Sequence, residues 1–385
     1  MPFRSSIFAA LAVALVAPGK LTMAQTDPTN WRDVAAKIVD RMALVRGERV
    51  LLVGLPDVAG PLVPYLREAV RAAGGVDLGA VAEGVETPEV WATDFTRDLA
   101  RAAGTARDQM LRTVDAAVMM PGANAPDPIY AAMQRVLAGG HGRTVHFHWL
   151  GAYDLAGAPL PTTPDVARVY QHALLATDYD ALGAKQRALE TAMRSGIVRV
   201  VTPGGTDVSF RIGDRPVTKQ DGDASAARAA KARNLIDREV ELPAGAIRVA
   251  PLEESVTGTI AFPPSLWGGV RVEGLVLTFA RGRVTAVRAT SGRDAVEREI
   301  AAGGEAARSF RELALGLNPL LAIPSEGQRW IPYYGYGAGV VRLSLGDNSE
   351  LGGVVRGGYV RWNFFTDATV SVGSDVWVRD GRLVR

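Results

Sequence analysis

Hydrophobic residues in the first half of the chain follow two alternating spacings. Behind Asn30 and Asp33, a pair typical of a helix N-terminus, four apolar residues recur at helical intervals: Val34, Ile38, Val39 and Met42. Residues Arg49–Gly54 then form a continuous apolar run, which is typical of a strand buried on both faces. Three further runs of this kind are separated by helical stretches, at residues 77–81, 114–120 and 144–149. This alternation predicts a mostly parallel sheet with helices on its faces.

The pattern changes after a long helical stretch over residues 178–195. Short β-type runs broken by glycine turns follow it, at residues 197–201, 207–212, 275–280, 284–289, 339–345, 358–364 and 368–372. One helical segment, over residues 293–315, interrupts them, and a closing hairpin turns at Asp380-Gly381. We therefore predict an N-terminal α/β domain with a mostly parallel sheet over residues 25–195, and a C-terminal β-rich α+β domain over residues 196–385.

The first 24 residues are predicted to be a signal peptide. Arg4 supplies a positive start, residues 7–16 are apolar, and Thr22-Met23-Ala24 is typical of a cleavage site. A ten-residue apolar run is shorter than the roughly 20 residues that span a bilayer, and no later segment approaches that length. We expect a protein exported to the periplasm or the cell exterior, with an uncleaved membrane anchor as the alternative.

Charge and cysteine content narrow the classes of partner. Removing Arg4 and Lys20 with the signal peptide cancels the formal charge of +2, and no basic run remains that would follow a phosphate backbone. Nucleic acid is therefore not an expected partner. The chain has 0 cysteines, so an exported form depends on its hydrophobic core, and a hydrophobic fraction of 48% is sufficient for that.

Candidate chemistry is sparse at the level of single motifs. His146 and His148 lie two apart and would share one face of a strand, but their neighbours Val145, Phe147 and Trp149 are typical of a core. We expect a structural or surface role for them, as for His141 and His172, with metal ligation as the alternative. Acidic pairs are interpreted as solvated surface: Glu253-Glu254, Glu297-Glu299, and Asp347 with Glu350. There is neither a G-x-S-x-G turn nor a thiol for nucleophilic catalysis.

Five short segments, in this order and spacing, resemble those of one known family. They are residues 45–52 (VRGERVLL), 206–210 (TDVSF), 242–245 (LPAG), 255–258 (SVTG) and 312–319 (ELALGLNP). The chain resembles the thermophilic metallo-aminopeptidases, which include aminopeptidases T and S, over nearly all of its length after the signal peptide. The resemblance implies a homodimer, and a second domain that binds two divalent metals such as zinc or cobalt.

Most of the metal ligands that the resemblance implies are replaced in this chain. The five ligand positions fall at Ala246, Glu312, Arg342, Arg361 and Asn363. Glu312 alone keeps a family ligand, because alanine has no lone pair and a guanidinium group only donates hydrogen bonds. Alternation along the strands places Arg361 and Asn363 on one face, and turns Arg342 away from its neighbours Val341 and Leu343. We expect the two guanidinium groups in one pocket that rejects metal and accepts anions.

Several functions remain open at this point. Arg342 and Arg361 would either pair with Glu312 in a structural ion cluster or, with Asn363, bind an anionic small-molecule or peptide ligand. No metal cofactor is expected in either case. The competing hypothesis is an active aminopeptidase or related hydrolase with an altered metal site, using Glu312 and other acids such as Glu253, Glu254 and Asp347. A periplasmic binding or scaffolding protein is the third class.

Overall fold

The fold is known from a computed structural model, which describes residues 29–147 and 151–385. The predicted signal peptide, with His148 and Trp149, lies outside the described residues. Within them, every helix is too short or too polar to cross a membrane. The helices are α1 (Trp31–Met42), α2 (Pro56–Ala59), α3 (Val63–Ala72), α4 (Asp94–Arg101), α5 (Gly104–Leu111), α6 (Pro128–Ala138), α7 (Pro164–Ala176), α8 (Tyr179–Ser195), α9 (Ala226–Ala229) and α10 (Arg293–Ala307).

Short strands are the main regular elements of the second half of the chain. The strands before α8 are β1 (Arg49–Gly54), β2 (Val76–Ala82), β3 (Ala116–Met119), β4 (Arg143–His146), β5 (Ala152–Tyr153) and β6 (Pro159–Leu160). Those up to α10 are β7 (Val198–Val201), β8 (Asp207–Phe210), β9 (Val217–Lys219), β10 (Glu239–Glu241), β11 (Ala246–Val249), β12 (Thr257–Ala261), β13 (Ser265–Trp267), β14 (Val270–Val272), β15 (Val276–Ala280) and β16 (Arg283–Arg288). The last are β17 (Phe310–Gly316), β18 (Val341–Gly346), β19 (Val360–Phe365), β20 (Thr369–Val372), β21 (Asp375–Arg379) and β22 (Arg382–Leu383).

A parallel sheet with the order β10-β4-β3-β1-β2 organises the first half. Helix α1 begins as predicted, since the side chain of Asn30 accepts a hydrogen bond from the backbone N–H of Asp33 at 3.1 Å. Its buried face contains the four predicted apolar residues together with Ala35. Strand β1 is buried along nearly its whole length in the middle of the sheet, as its continuous apolar run predicts.

Two antiparallel sheets make up most of the second half. The first, here called the site sheet, has the order β19-β18-β17-β11-β9, and the larger one has the order β16-β15-β12-β8-β7-β20-β21-β22. Strands β21 and β22 form the predicted closing hairpin, in which Asp380 and Gly381 have φ of 49° and 74°. The predicted combination of a mostly parallel α/β layer with β-rich structure is confirmed.

Strand β10 joins the two halves of the chain. It comes after the predicted boundary at residue 195, yet it pairs with β4 at the edge of the parallel sheet. Four residues later the chain continues as β11 in the site sheet. The division into two domains stays a prediction, and β10 is the strand that crosses it.

The helix predicted over residues 293–315 is wrong in its second part. Helix α10 ends at Ala307, and Phe310–Gly316 form β17, the central strand of the site sheet. All seven residues of β17 are buried, and a short apolar run buried on both sides satisfies helical and strand spacing equally. Glu312 therefore lies on a strand rather than on a helix.

Candidate functional site

A cavity of about 260 Å³ lies where the carboxyl ends of β4 and β10 face the site sheet. Six ionisable residues other than tyrosine line it: His146, Glu239, Glu241, Arg248, Arg342 and Glu350. In sheets of parallel strands, ligands bind beyond the carboxyl ends of the strands. A larger surface groove of about 440 Å³ lies between α1 and α3, but its lining is mostly alanine and has no converging polar groups.

Glu312 is the centre of an ion cluster on the cavity side of the site sheet. Its carboxylate is fully buried and accepts from Arg248 Nε at 3.0 Å, Arg342 Nη2 at 3.2 Å and Ser344 Oγ at 3.2 Å. Strand register explains the contacts, because Arg248 and Arg342 lie directly opposite Ala314 on either side of β17. Directly opposed residues point to the same face of a sheet, and Glu312 is two residues from Ala314.

A bulge in β17 adds a third guanidinium group to the cluster. The register shifts between Phe310 and Glu312, so Arg311 turns towards the same side as Glu312. Its Nε lies 3.7 Å from the carboxylate of Glu312, and its Nη2 donates to Glu350. Glu350 also accepts from Arg248 Nη2 at 3.3 Å. Sequence analysis assigned neither Arg248 nor Arg311 to the site.

The cluster fixes the charge of its members. Burial favours the neutral form of Glu312, but Arg248, Arg342 and Arg311 together hold the pKa of its carboxyl well below the usual range. Burial lowers the pKa of Arg342, against the attraction of Glu312. A guanidinium group has an intrinsic pKa above about 12, so it stays charged at neutral pH. The carboxylate is thus ionised and already surrounded by cations.

Arg361 and Asn363 do not join this cluster. Because Arg342 lies opposite Phe364, the cavity face of β19 carries Trp362 and Phe364, and the other two residues point to the opposite face. There, Arg361 pairs with Glu299 at 2.8 Å and lies 3.6 Å above the ring of Trp267. Asn363 Nδ2 donates to the carbonyl of Leu343 at 3.2 Å. The expected shared pocket for Arg342 and Arg361 is not formed.

The three acids proposed from the sequence as alternative metal ligands have their contacts elsewhere, whereas Glu350, interpreted as solvated surface, shares Arg248 and Arg311 with Glu312. Glu253 pairs with Arg215 and accepts from Asn348, while Glu254 is exposed. Asp347 accepts from three backbone N–H groups of its own loop: those of Ser349, Gly357 and Gly358. Over residues 29–147 and 151–385, no group of three or more His, Asp or Glu side chains has an arrangement that could hold a metal ion.

A second polar cluster, formed by His146, Tyr130, Glu239 and Glu241, lines the cavity from the parallel sheet. His146 lies 3.5 Å from Glu239 through Nε2 and 3.6 Å from Glu241 through Nδ1. The hydroxyl of Tyr130 on α6 is 2.9 Å from Nδ1. The sequence shows no acid near His146, and it is the pairing of β10 with β4 that brings both glutamates beside it. The core pattern around His146 correctly indicated a buried side chain but missed these partners.

Burial sets the protonation of this second cluster. It raises the pKa of Glu239 to about 6, with His146 acting in the opposite direction. Burial lowers the pKa of His146, but Glu239 and Glu241 outweigh it and bring the pKa above 6.5. Near neutral pH this cluster therefore combines two carboxylates with an imidazole that takes up a proton readily.

Aromatic side chains form the remaining wall of the cavity. Trp362 stacks edge-on against Tyr334 at 5.4 Å, and the guanidinium of Arg342 lies 4.5 Å from the centroid of the Trp362 ring. Tyr333 and Tyr334 both have positive φ, of 35° and 56°. Bulky residues adopt this conformation at a cost of about 1–3 kcal/mol each, and such strain concentrates at binding sites. The turn holds the Tyr334 ring in the cavity wall.

Comparisons with known proteins agree with this architecture. Residues 216–323 match the model of a family described as thermophilic metalloprotease (M29). That segment runs from β9 to β17 and includes Glu239, Glu241, Arg248 and Glu312. A search of proteins with curated functions finds no match.

Two solved structures share the fold over almost their whole length. 2,5-Dihydroxypyridine dioxygenase from Pseudomonas putida KT2440 matches with a TM-score of 0.61 and 15% identity, over 94% of this chain and 98% of that one. Wild-type AmpT from Thermus thermophilus matches with a TM-score of 0.57 and 19% identity, over 92% and 99%. Residues 216–323 thus match the thermophilic metalloprotease family model, and the chain as a whole shares its fold with AmpT.

Proposed function

We propose that this protein binds a small ligand with an anionic group and a flat apolar part, and that it is not a two-metal aminopeptidase. The observation that carries the proposal is the pair of guanidinium groups, Arg248 and Arg342, on the carboxylate of Glu312. A divalent ion needs electron-pair donors, whereas these groups offer only N–H donors and positive charge. The residues present therefore do not fit the metals that the family resemblance implies.

Support for an anionic ligand comes from the same geometry. Arg342 is almost fully buried, lines the cavity and is held against Trp362, so its planar group is pre-organised for a carboxylate or phosphate. The aromatic wall of Tyr334, Tyr336 and Trp362 suits a flat apolar group. A volume of about 260 Å³ is close to the lower end of the roughly 300–1,000 Å³ typical of small-molecule sites.

A thermal-shift titration with 3-phenylpropionate tests the binding site. The melting temperature of the wild-type protein should rise with ligand concentration, as binding to the native state alone requires. Arg342→Lys keeps a positive charge beside Glu312 but removes the planar fork, so we expect the shift to be lost. Arg361→Lys is the matched control, since Arg361 also pairs with a glutamate and stacks on a tryptophan, but on the opposite face of the site sheet.

Metal content and peptidase activity test the alternative. The purified protein should contain far less than one equivalent of zinc, cobalt, manganese or iron, and should not cleave leucine p-nitroanilide. Stoichiometric metal with chelator-sensitive cleavage would establish the active aminopeptidase instead. A wild-type protein that no anion stabilises would also contradict the proposed function.

Export is part of the same proposal, and its support is the sequence of the first 24 residues. Fractionation of expressing cells should recover a chain that begins at Gln25 outside the cytoplasm. The homodimer implied by the family resemblance stays a prediction, which light scattering on the purified chain would test.

A further inference from the structure

We propose that the ligand of this cavity is a zwitterion: its carboxylate binds at Arg342 and Arg248, and its ammonium group binds at Glu239 and Glu241. The chemical class that fits best is a free aromatic α-amino acid. This inference rests on the proposed function, because it adds a cationic group to the anionic ligand described there.

The charges around the cavity are separated by sheet. On the site sheet, three guanidinium groups (Arg248, Arg311 and Arg342) meet two carboxylates (Glu312 and Glu350), which leaves one positive charge in excess. On the parallel sheet, two carboxylates (Glu239 and Glu241) meet one imidazole (His146), which leaves at least one negative charge in excess. A ligand of net zero charge with one group of each sign neutralises both ends.

The cationic end has an unused donor. Arg342 is 1% exposed; its Nη1 donates to the carbonyl of Tyr334 and its Nη2 to Glu312, but its Nε has no hydrogen-bond partner among the described residues. A buried N–H of a charged group without a partner is costly, and ligand-binding sites are among the few places where it persists. A ligand carboxylate would satisfy it.

The acidic end offers acceptors of the right kind. Glu239 is buried and its Oε1 receives the amide of Gln134 at 3.2 Å and the His146 imidazole at 3.5 Å. An ionised carboxylate has about four lone-pair positions, so these contacts leave capacity for an ammonium group. Glu241 accepts from Tyr333 Oη at 3.1 Å through Oε2, and its Oε1 lies 3.6 Å from His146 Nδ1.

The aromatic wall lies between the two ends. Tyr334, Tyr336 and Trp362 line the same cavity of about 260 Å³ as residues of both charged clusters. In an aromatic α-amino acid such as phenylalanine, the ammonium and carboxylate groups are both attached to the α-carbon. The flat apolar ring is attached to the neighbouring carbon. Hydrophobic and aromatic walls with a few placed charges are the usual composition of small-molecule sites.

Three compounds of nearly equal size separate the parts of this inference. They are L-phenylalanine, 3-phenylpropionate, which lacks the ammonium, and 2-phenylethylamine, which lacks the carboxylate. Titration calorimetry at pH 7.5, above the pKa of about 6 for Glu239, keeps that carboxylate ionised. We expect L-phenylalanine to bind at least about tenfold more tightly than either of the other two compounds. One charge-assisted hydrogen bond contributes enough binding free energy for that difference.

Glu239→Gln and Glu241→Gln then test the ammonium site. Each substitution should bring the affinity for L-phenylalanine close to that for 3-phenylpropionate. The affinity for 3-phenylpropionate itself should be no weaker than that of the wild type. Retained binding of this compound also shows that the variant is folded. Glu190→Gln is a control, since that half-buried glutamate pairs with Lys219 and Arg194 outside the cavity.

The outcomes distinguish this inference from the proposed function. If 3-phenylpropionate binds at Arg342 and L-phenylalanine binds no better, the anionic site stands and the zwitterion is wrong. A preference for L-phenylalanine that survives both glutamine substitutions also overturns the ammonium site. If none of the three compounds binds, the proposed function fails and this inference fails with it.

Discussion

Glu312 determines what the cavity can hold, because its carboxylate lies beside three buried guanidinium groups, of which Arg248 and Arg311 also pair with Glu350. Removing water from each of these ions costs on the order of several kcal/mol of free energy. Only close pairing with an ion of opposite charge recovers that free energy. The carboxylate of Glu312 accepts hydrogen bonds from Arg248, Arg342 and Ser344, and Arg311 lies 3.7 Å away. The carboxylate is thus an internal counter-ion for the arginines, which are the ligand-binding groups in the proposed function.

Glu312→Gln should destabilise the protein strongly. The amide keeps the shape of the side chain but removes the negative charge, and breaking a buried pair in this way costs about 3–5 kcal/mol in the free energy of unfolding. Urea denaturation followed by circular dichroism measures it. Asp207→Asn is the control, since Asp207 forms an exposed pair with Arg199, worth less than about 1 kcal/mol.

The difference in stability between the wild type and Glu312→Gln should depend on pH. The folded state lowers the pKa of Glu312 below its ordinary 4.5, so its stabilising effect is complete above that pH and is lost as the pH falls. The stability difference between wild type and Glu312→Gln should therefore narrow below pH 4.5. A difference that is constant down to pH 3 would mean that the charge of Glu312 is not what stabilises the cluster.

At the scale of single residues, the sequence predicts which residues of one strand point to the same face. It does not predict which residues of two paired strands do so. Alternation correctly placed Arg361 and Asn363 on one face of β19, and turned Arg342 away from Val341 and Leu343. Which face of β19 joins which face of β18 depends on the register of the pair, and that depends on the hairpin between them. The family resemblance assigned Arg361 to the cavity, whereas the observed register places Trp362 there, and a change of one residue in register would exchange the two faces.

At the scale of the elements, the segment ELALGLNP contains the end of β17 and the turn that follows it. Gly316 ends the strand where the backbone of the Tyr336 turn crosses it: a Cβ there would overlap the carbonyl oxygen of Gly337 and lie 2.6 Å from that of Gly335. Asn318 is fully buried, caps the turn at Leu320, and donates to the carbonyl of Ala244 at 2.8 Å. These two residues hold β17 beside β11.

Gly316→Ala should destabilise the protein by about 1–3 kcal/mol, the range for forcing an extra methyl group into a packed site. The neighbouring atoms are backbone carbonyls, which cannot move aside as a side chain does. Gly204→Ala is the control, since a Cβ there meets only Thr202 Oγ1, at 3.7 Å. Equal melting temperatures for the two variants would show that the turn is looser than this packing implies.

Element type was predictable where periodicity and length agreed, as in α1, β1 and the closing hairpin. It was not predictable for β17, because its seven residues, which include Arg311 and Glu312, are all buried and show no alternation of apolar and polar positions. The bulge at Arg311 has no signal at all in one sequence. Both features belong to the site, and they explain why its third arginine was missed.

At the scale of the whole molecule, one hydrophobic core runs through both halves of the chain. It contains Val34 and Ile38 from α1, Val198 from β7 and Val378 from β21, and it includes Val240 of the crossing strand β10. The two halves therefore share buried surface as well as a strand.

Thermal unfolding should accordingly occur in one cooperative transition, with calorimetric and van't Hoff enthalpies in agreement. Val240→Ala, at a position 1% exposed, should lower the temperature of that transition without splitting it, whereas Val354→Ala, at a position 67% exposed, should leave it unchanged. Two separate heat-absorption peaks in the wild-type protein would contradict a shared core.

Long-range pairing also explains why the second polar cluster escaped the sequence. His146 lies at the end of β4, and its glutamates lie on β10, which follows three further helices (α7, α8 and α9) and five strands of other sheets. Nothing local to either segment indicates the other. The fold class follows from local patterns, but a site assembled between sheets requires the topology.

Because Arg248, Arg342 and Glu312 neutralise one another, the effect of a substitution at one of these positions depends on the other two. Replacing Arg342 alone with a metal-binding histidine weakens the neutralisation of Glu312, and replacing Arg248 alone does the same. Each single step towards the metal ligands that the family resemblance implies therefore passes through a less stable intermediate, since substitutions within one buried network do not add independently. Directed-evolution libraries that seek to build a metal site here would need to vary these positions together.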